Sequence, residues 1–322
     1  MLMKNIVTGS ILAGGLVASA SAAQWHMPTP YGDSNHPTKI AYQFAEEIKE
    51  KTNGELDITV HSGASLVKHP EIPRAVKTGQ VQMGEVFIGI MGNTHPIFKH
   101  DNIPFLATNY DDAKKLWNAA KPEMQKQLNK EGMTLLYSVA WPAQSLYSKD
   151  AVNSLADLEG SRMRAYSPST SRLADLMGTT PTTIQVPEIP QAFSTGIIDA
   201  MITSPSTGAN GQAWDYVKNY TDIQAWIPKN VVVVNTRSFK RLDKGTQKII
   251  LDAAANAEKR GWEIVQSEAK KDTQTLIDHG IVVAQPSETL LKELAVIGET
   301  MEAEWLAESG PEIKALIENY KK

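Results

Sequence analysis

RMRAYSPSTSRLADLMGTTPTTIQVPEIPQAFSTGIIDAMIT, residues 162–203, alternates short strand-like runs with helical segments. Its spacing predicts a strand over 162–166, a helix over 170–177 ending at Gly178, a strand near 182–186, a helix over 188–195 ending at Gly196 and a strand over 198–203. Such alternation is typical of parallel strands with helices on both faces of the sheet. The stretch therefore predicts an α/β fold.

Two further segments extend this pattern to the rest of the chain. Apolar residues recur every four positions over 40–48, which predicts an amphipathic helix, and residues 55–63 alternate as a strand does. Near the C-terminus, residues 243–279 predict one long helix with Gly261 as its single interior breaker. A helix of this length reaches roughly 50 Å, so we expect it to span two lobes.

Composition limits the classes of protein to consider. The chain has 322 residues, 42% of them hydrophobic and 21% charged, which predicts a globular protein of about two domains. The net charge is -4 and no basic stripe is present, so no nucleic-acid partner is expected.

The N-terminus indicates export. Lys4 is followed by an apolar, Gly-rich run over 6–17 and by an A-x-A pattern that ends at Ala22. These features predict a signal peptide over 1–22, cleaved before Ala23. A membrane anchor is the alternative, but the apolar run is too short and too rich in Gly and Ser to span a bilayer.

The sequence contains no cysteine. Disulfides, thiolate metal sites and attachment of a lipid to a cysteine are therefore excluded. An exported chain without cysteine is typical of a large-cored bacterial periplasmic protein, and we expect this localisation.

Motifs for catalysis and for cofactor binding are missing. The sequence has no G-x-S-x-G, G-x-x-x-x-G-K-[ST], G-x-G-x-x-G or H-E-x-x-H, and its seven histidines are not spaced as metal ligands on a helix. Adjacent carboxylates, such as Glu46 and Glu47, lie in lysine-rich helices, where a solvated face explains them. No catalytic residue, metal or cofactor is expected, which leaves binding as the natural function.

Two arginines in the first predicted strand need an explanation. Because strand side chains alternate, Arg162, Arg164 and Tyr166 share one face. A guanidinium offers a planar fork of donors that matches a carboxylate, which a lysine cannot reproduce. The alternative is that both arginines lie on an exposed edge or pair with nearby acids such as Glu159.

Several segments together resemble the solute-binding proteins of tripartite ATP-independent periplasmic (TRAP) transporters. They are HPTKIAYQFAEEIKEKTNGELDITVHSGASL (36–66), LADLEGSRMRAYSP (155–168), EIPQAFSTGIIDAMI (188–202) and VVVVNTRSFKRL (231–242), followed by the long helix. The order and spacing of these segments carry the resemblance over essentially the whole mature chain.

The resemblance implies a periplasmic binding protein-like α/β fold. It consists of two lobes with central, mostly parallel sheets, crossing hinge strands and a long helix spanning both lobes. We expect lobe I over 23–146 plus 234–280, and lobe II over 147–233 plus 281–322.

The resemblance also implies site residues. Arg164 stands where the family carries an arginine whose guanidinium forms a two-pronged salt bridge with the ligand carboxylate. Phe87 falls at a first-lobe contact that is sometimes acidic and sometimes aromatic. Trp141 falls near the first hinge, where some members place a second arginine, and Thr203 and Ser204 occupy a place where many members carry an asparagine.

Aromatic residues complete the predicted ligand-binding set. Tyr166 shares the face of Arg164, and Trp226 precedes a returning strand; each could instead be ordinary core. Arg162 is expected to be structural or to lie at the rim. One arginine with several aromatics favours a monocarboxylate with an apolar or ring-bearing body over a compact dicarboxylate.

The sequence therefore predicts a non-enzymatic periplasmic subunit that captures a small organic acid by clam-shell closure and delivers it to the TRAP permease subunits in the membrane. A ligand-presenting sensor subunit is one alternative, and an exported enzyme on the same scaffold is another.

Overall fold

The structure is a computed structural model that describes residues 22–322. Of the predicted signal peptide over 1–22, all but Ala22 lies outside the described residues. The strands of the described chain are β1 (Ala23–Pro28), β2 (Leu56–His61), β3 (Met83–Phe87), β4 (Met133–Ala140), β5 (Ser145–Ser148), β6 (Arg162–Ala165), β7 (Thr180–Thr183), β8 (Ala200–Thr203), β9 (Asn219–Thr221), β10 (Lys229–Asn235) and β11 (Val282–Ala284).

The α-helices over the same residues connect and cover these strands. They are α1 (His36–Lys51), α2 (Ile72–Thr78), α3 (Tyr110–Lys130), α4 (Pro168–Leu176), α5 (Ile189–Ser194), α6 (Pro205–Asn210), α7 (Thr236–Arg241), α8 (Lys244–Asp278), α9 (Glu288–Glu308) and α10 (Pro311–Tyr320). The predicted alternation over 162–203 is confirmed, since β6, α4, β7, α5 and β8 follow one another in that order.

The strands form three sheets in two lobes. Lobe I contains the parallel pair β1-β2 and the sheet β3-β10-β4, whereas lobe II contains the sheet β11-β9-β5-β8-β6-β7. Buried apolar residues cover both faces of each larger sheet. The predicted α/β class and the two lobes are confirmed.

The prediction of mostly parallel sheets needs correction, because parallel and antiparallel pairs are equally frequent. β10 runs antiparallel to both β3 and β4, and β5 runs antiparallel to both β8 and β9. Each of these two strands follows a crossing between the lobes, at 141–144 and at 222–228. After each crossing, the chain enters the sheet of the other lobe in the direction opposite to the neighbouring strands. An alternating pattern of strands and helices does not reveal this direction.

The long helix α8 joins the two lobes as predicted. It packs against α1 and β4 of lobe I and against α6 and β11 of lobe II. Gly261 does not break the helix. A Cβ atom at this position would lie 3.1 Å from a methyl group of Val139 on β4, so glycine allows the helix to approach the sheet closely.

The residue boundaries between the lobes stay a prediction. The predicted division at 146/147 falls inside β5, and the division at 233/234 falls inside β10, which pairs over its whole length with β4. The C-terminal helix α10 buries Ile313 and Ile317 in the core of lobe I, together with residues of α3. No helix within residues 22–322 has an apolar stretch long enough to cross a membrane.

Candidate functional site

A small cavity lies where the two lobes face each other. Its empty space is about 390 Å³, counting the part that is open to solvent. Both lobes contribute to its wall, which is formed by Tyr31, His69, Phe87, Trp141, Gln144, Arg164, Tyr166, Gln185, Val186, Thr203, Ser204, Thr207 and Pro228. Six of the seven predicted ligand-binding residues are therefore brought together.

Arg164 is the only charged residue among those that line the cavity. It lies on β6 and is 3% exposed, and its Nε donates to the carbonyl oxygen of Ile184 at 3.0 Å. The guanidinium carbon lies 4.7 Å from the centre of the Tyr166 ring, a cation–π geometry. These contacts hold the side chain in place. They involve Nε and the face of the guanidinium, so the two terminal amino groups are left for a ligand.

Arg164 has no internal counter-ion. Within residues 22–322, no carboxylate lies within ion-pair distance of its guanidinium, and no protein group accepts from its terminal amino groups. Burial lowers the pKa of Arg164 to about 10, which still leaves it protonated at neutral pH. A buried, unpaired cation with free forked donors is complementary to a carboxylate.

Aromatic rings form the apolar part of the wall. The Phe87 ring meets the Tyr166 ring edge-on at 5.3 Å, and Trp141 meets Tyr31 edge-on at 4.8 Å. Gly89 allows the Phe87 ring to lie close to the chain, because a Cβ atom there would be 2.6 Å from the ring. The cavity is suited to a ligand with a flat or apolar body.

Thr203 and Ser204 lie at the end of β8, before α6. The Ser204 hydroxyl accepts from the backbone N–H of Thr207 at 3.0 Å and therefore caps this short helix. Thr203 also lines the cavity. The two residues bring hydroxyl groups from lobe II to the cavity wall.

Two residues discussed from the sequence do not line the cavity. Trp226 is buried in the core of lobe II, among leucines of α9. Arg162 is exposed and makes a two-pronged salt bridge to Asp199, with N–O distances of 2.8 and 2.9 Å. Asp199, and not Glu159, is the acid that pairs with it.

Sequence reasoning missed several residues of the wall. Tyr31 lies in the turn before α1, and Gln144 accepts from the Tyr166 hydroxyl at 3.2 Å. His69 begins a short 3₁₀ helix of lobe I, and Gln185 precedes another in lobe II. Their positions depend on how the lobes face each other, and no local pattern marks them.

His69 contributes no charge to the cavity at neutral pH. Burial, with the charge of Arg164, lowers the pKa of His69 to about 4, although a hydrogen bond to Gln185 acts in the opposite direction. Its Nε2 accepts from the backbone N–H of Phe87 at 3.3 Å, so the ring proton lies on Nδ1. Arg164 therefore supplies the positive charge alone.

One group of described residues has the composition of a metal site. Ligand atoms of His95, Glu123 and Glu312 lie within 4.8 Å of one another, away from the cavity. However, Nδ1 of His95 accepts from the backbone N–H of Ile97, which places the proton of the neutral ring on Nε2. The carboxylate of Glu123 accepts from two side chains further along α3. Two of the three groups are therefore already engaged in hydrogen bonds within the protein.

A buried guanidinium in an aromatic cavity between two lobes defines a protein that captures a small anion. The family model described as DctP, bacterial extracellular solute-binding protein family 7, matches residues 31–307. The chain therefore belongs to this family, and the resemblance predicted from the sequence is confirmed.

Solved structures with the same fold include three with substantial sequence identity. DctP7, a Bordetella pertussis extracytoplasmic solute receptor binding pyroglutamic acid, is 46% identical, with a TM-score of 0.92 over 94% of this chain and 100% of that one. DctP6 from Bordetella pertussis, also described as binding pyroglutamic acid, is 39% identical, with a TM-score of 0.91 over 93% and 99%.

The third is a TRAP solute-binding protein from a marine metagenome, from an unidentified microbe. It is described as specific for pyroglutamate and is 36% identical, with a TM-score of 0.92 over 93% of this chain and 99% of that one. TRAP solute-binding proteins are periplasmic and work with membrane permease subunits, so this chain is a receptor component of such a transport system.

Proposed function

We propose that this protein captures pyroglutamate, a five-membered lactam that carries one carboxylate, and delivers it to TRAP permease subunits. Arg164 holds the carboxylate. The rings of Phe87, Tyr166, Trp141 and Tyr31 hold the faces and edges of the lactam. The observation that carries the proposal is the unpaired guanidinium of Arg164 inside a small aromatic cavity.

The charges of the wall support a monocarboxylate. Arg164 is the only lining residue that is charged at neutral pH, so a second carboxylate would be buried without a partner. Burying an unpaired charge is unfavourable. A dicarboxylate of similar size should therefore bind much more weakly than a cyclic monocarboxylate.

The three similar structures support the identity of the ligand. All three are described as binding pyroglutamate or pyroglutamic acid, and they are 36% to 46% identical to this chain over nearly its full length. The sequence prediction of a ring-bearing monocarboxylate agrees with such a ligand. A micromolar dissociation constant corresponds to about 8 kcal/mol, which one buried ion pair and one packed ring can largely provide.

The lining residues also support binding without chemical change. His69 Nε2 is already bonded to a backbone N–H, and the Ser204 hydroxyl caps a helix, so neither is poised as a base or a nucleophile. After incubation with the protein, the ligand should be recovered intact by NMR. A new product would instead support an exported enzyme.

Export and closure complete the proposed cycle. The mature chain begins at Ala23 after removal of the signal peptide, which the intact mass of the secreted protein tests. We assign residues 23–141, 228–265 and 311–320 to lobe I and residues 145–221 and 281–301 to lobe II, following the sheets and cores. The lobes hinge at 141–144 and 222–228 and close over the bound acid.

Isothermal titration calorimetry tests the ligand directly. We expect pyroglutamate to bind with a micromolar or lower dissociation constant, and succinate and malate to bind at least about 100-fold more weakly. A thermal-shift series with the same compounds should give the same order. Stabilisation by succinate or malate, without stabilisation by pyroglutamate or other ring-bearing acids, would contradict the proposal.

A further inference from the structure

Behind the cavity, a buried carboxyl group is linked to two residues of the cavity wall. Glu85 on β3 and Asn230 on β10 are diagonal neighbours on the same face of the lobe I sheet. Asn230 Nδ2 donates to Glu85 Oε1 at 2.7 Å. Asn230 Oδ1 accepts from Trp141 Nε1 at 2.8 Å and from the Tyr31 hydroxyl at 3.3 Å. All four side chains are buried.

The orientation of the Asn230 amide is fixed by its neighbours. An indole N–H can only donate, so the amide atom that faces Trp141 must be the oxygen. The amide nitrogen then faces Glu85, whose carboxyl group supplies the matching acceptor. A flipped amide would place two donors opposite each other at Trp141 and would lose the bond to Glu85.

This orientation determines what Tyr31 presents to the cavity. The Asn230 oxygen can only accept, so Tyr31 gives its hydroxyl proton to it. The Tyr31 oxygen, which belongs to a residue of the cavity wall, then has only lone pairs left for a ligand. On this side the wall is therefore an acceptor.

We propose that Glu85 and Asn230 act as positioning residues that fix Tyr31 as a hydrogen-bond acceptor, and that this acceptor selects ligands with a ring N–H. The inference rests on the proposed function and deepens it. In pyroglutamate the ring nitrogen carries one hydrogen, and this N–H donates a hydrogen bond to the Tyr31 oxygen. An ester oxygen at the same place has no hydrogen to donate, and its lone pairs would face the lone pairs of the Tyr31 oxygen.

The matching probe is the lactone of the same shape, 5-oxotetrahydrofuran-2-carboxylate. It keeps the carboxylate and the ring carbonyl but replaces the N–H by oxygen. Calorimetry on the wild-type protein should show at least about tenfold weaker binding of the lactone than of pyroglutamate. A ratio below about threefold would overturn the inference while leaving pyroglutamate as the ligand.

Tyr31→Phe tests the acceptor itself. The variant should bind pyroglutamate about five- to tenfold more weakly, because one hydrogen bond is lost, and the lactone nearly as well as before. The ratio of the two dissociation constants, lactone over pyroglutamate, should therefore approach one. The control is Tyr42→Phe, which removes a hydroxyl that donates to Asp33 at the surface and should keep the wild-type ratio. An unchanged ratio in Tyr31→Phe would overturn the inference.

The positioning role is tested by two substitutions at Glu85. Glu85→Gln keeps an oxygen that can accept from Asn230 and should keep the ratio, whereas Glu85→Leu removes the acceptor and should lower the ratio at least about threefold. A general loss of structure would weaken both ligands equally and leave the ratio unchanged, which would overturn the role of Glu85. If wild-type protein did not bind pyroglutamate at all, the proposed ligand would fall together with this inference.

Discussion

Two Lys or Arg side chains are buried among residues 22–322, one in each lobe, and their surroundings differ. Lys229 at the start of β10 is 0% exposed, and its Nζ lies 3.3 Å from Asp101 and donates to the carbonyl oxygen of Ile227 at 3.2 Å. Asp101 also accepts from the backbone N–H of Lys229. Arg164 in lobe II is buried almost as deeply, but no described carboxylate pairs with it.

The difference shows that burial of a charge does not by itself mark a ligand site. Lys229 and Asp101 neutralise each other and hold the crossing before β10 in place. Arg164 is also removed from water, but no carboxylate among the described residues compensates its charge. Its free donors face a cavity. A buried charge whose partner is missing from the chain is the sign that its partner comes from outside.

The largest expected effect is on folding, at the paired cation. Asp101→Asn leaves the Lys229 ammonium buried without a counter-ion, and we expect the free energy of unfolding to fall by about 3–5 kcal/mol. Urea denaturation measures this loss. Asp252→Asn, in an exposed pair with Lys248 on α8, is the control and should change the same quantity by at most about 1 kcal/mol. Equal losses in the two variants would mean that burial of the Lys229 pair is unimportant.

Glu85, a buried carboxyl group of lobe I, gives a pH dependence. It is 1% exposed, its Oε2 has no partner among the described residues, and burial raises its pKa to about 7, although Asn230 acts in the opposite direction. A carboxyl group with a raised pKa stabilises the fold below its unfolded pKa of about 4.5, and this stability is lost as the pH rises through about 7.

Glu85→Gln removes this titration while keeping the hydrogen bond to Asn230. Relative to the variant, the wild-type free energy of unfolding should fall by about 2–3 kcal/mol between about pH 5 and about pH 8. Taking the difference between the two proteins cancels the contributions of the buried histidines. A constant difference across this range would show that Glu85 does not titrate there.

Arg164→Lys tests the unpaired cation. A lysine keeps the charge but not the forked donors, so pyroglutamate should bind about tenfold or more weakly, as expected for the loss of a charge-assisted bond worth about 1.5–3 kcal/mol. The unliganded variant should remain folded by circular dichroism, since the substitution breaks no internal ion pair and costs only the hydrogen bond from Nε to the carbonyl oxygen of Ile184. Unchanged affinity by calorimetry would remove Arg164 from the site.

The sequence predicted much of this arrangement, but with uneven success. Periodicity identifies α4, β8 and α8 because each element buries a regular face. The forked donors of arginine, together with the family resemblance, identify Arg164 as the ligand-binding residue. The direction of β5 and β10 was missed, since a crossing between lobes leaves no periodic signal. The core position of Trp226 was also missed, because a lone aromatic reads the same in a cavity wall and in a core.

The wall of the cavity shows the same limit. Tyr31 and Gln144 lie in turns whose sequence indicates only a change of chain direction, and their function depends on partners more than 20 residues away. Asn230 and Glu85 lie inside strands, where a polar residue suggests an exposed face. Only the sheet register and the helices packed on that face show that both are buried.

The smallest expected effect is at Arg162, two residues before Arg164 on the same strand. Its guanidinium already has a partner in Asp199, and the two side chains are 48% and 27% exposed. Solvent screens such pairs, so Arg162→Lys should change the free energy of unfolding by at most about 1 kcal/mol and the affinity for pyroglutamate by less than about twofold. Calorimetry on this variant and on Arg164→Lys makes a matched pair, because the chemical change and the strand are the same while the pairing and the burial of the two guanidinium groups differ. If Arg162→Lys weakened binding as much as Arg164→Lys, the absence of an internal partner would no longer distinguish the ligand-binding arginine from the structural one.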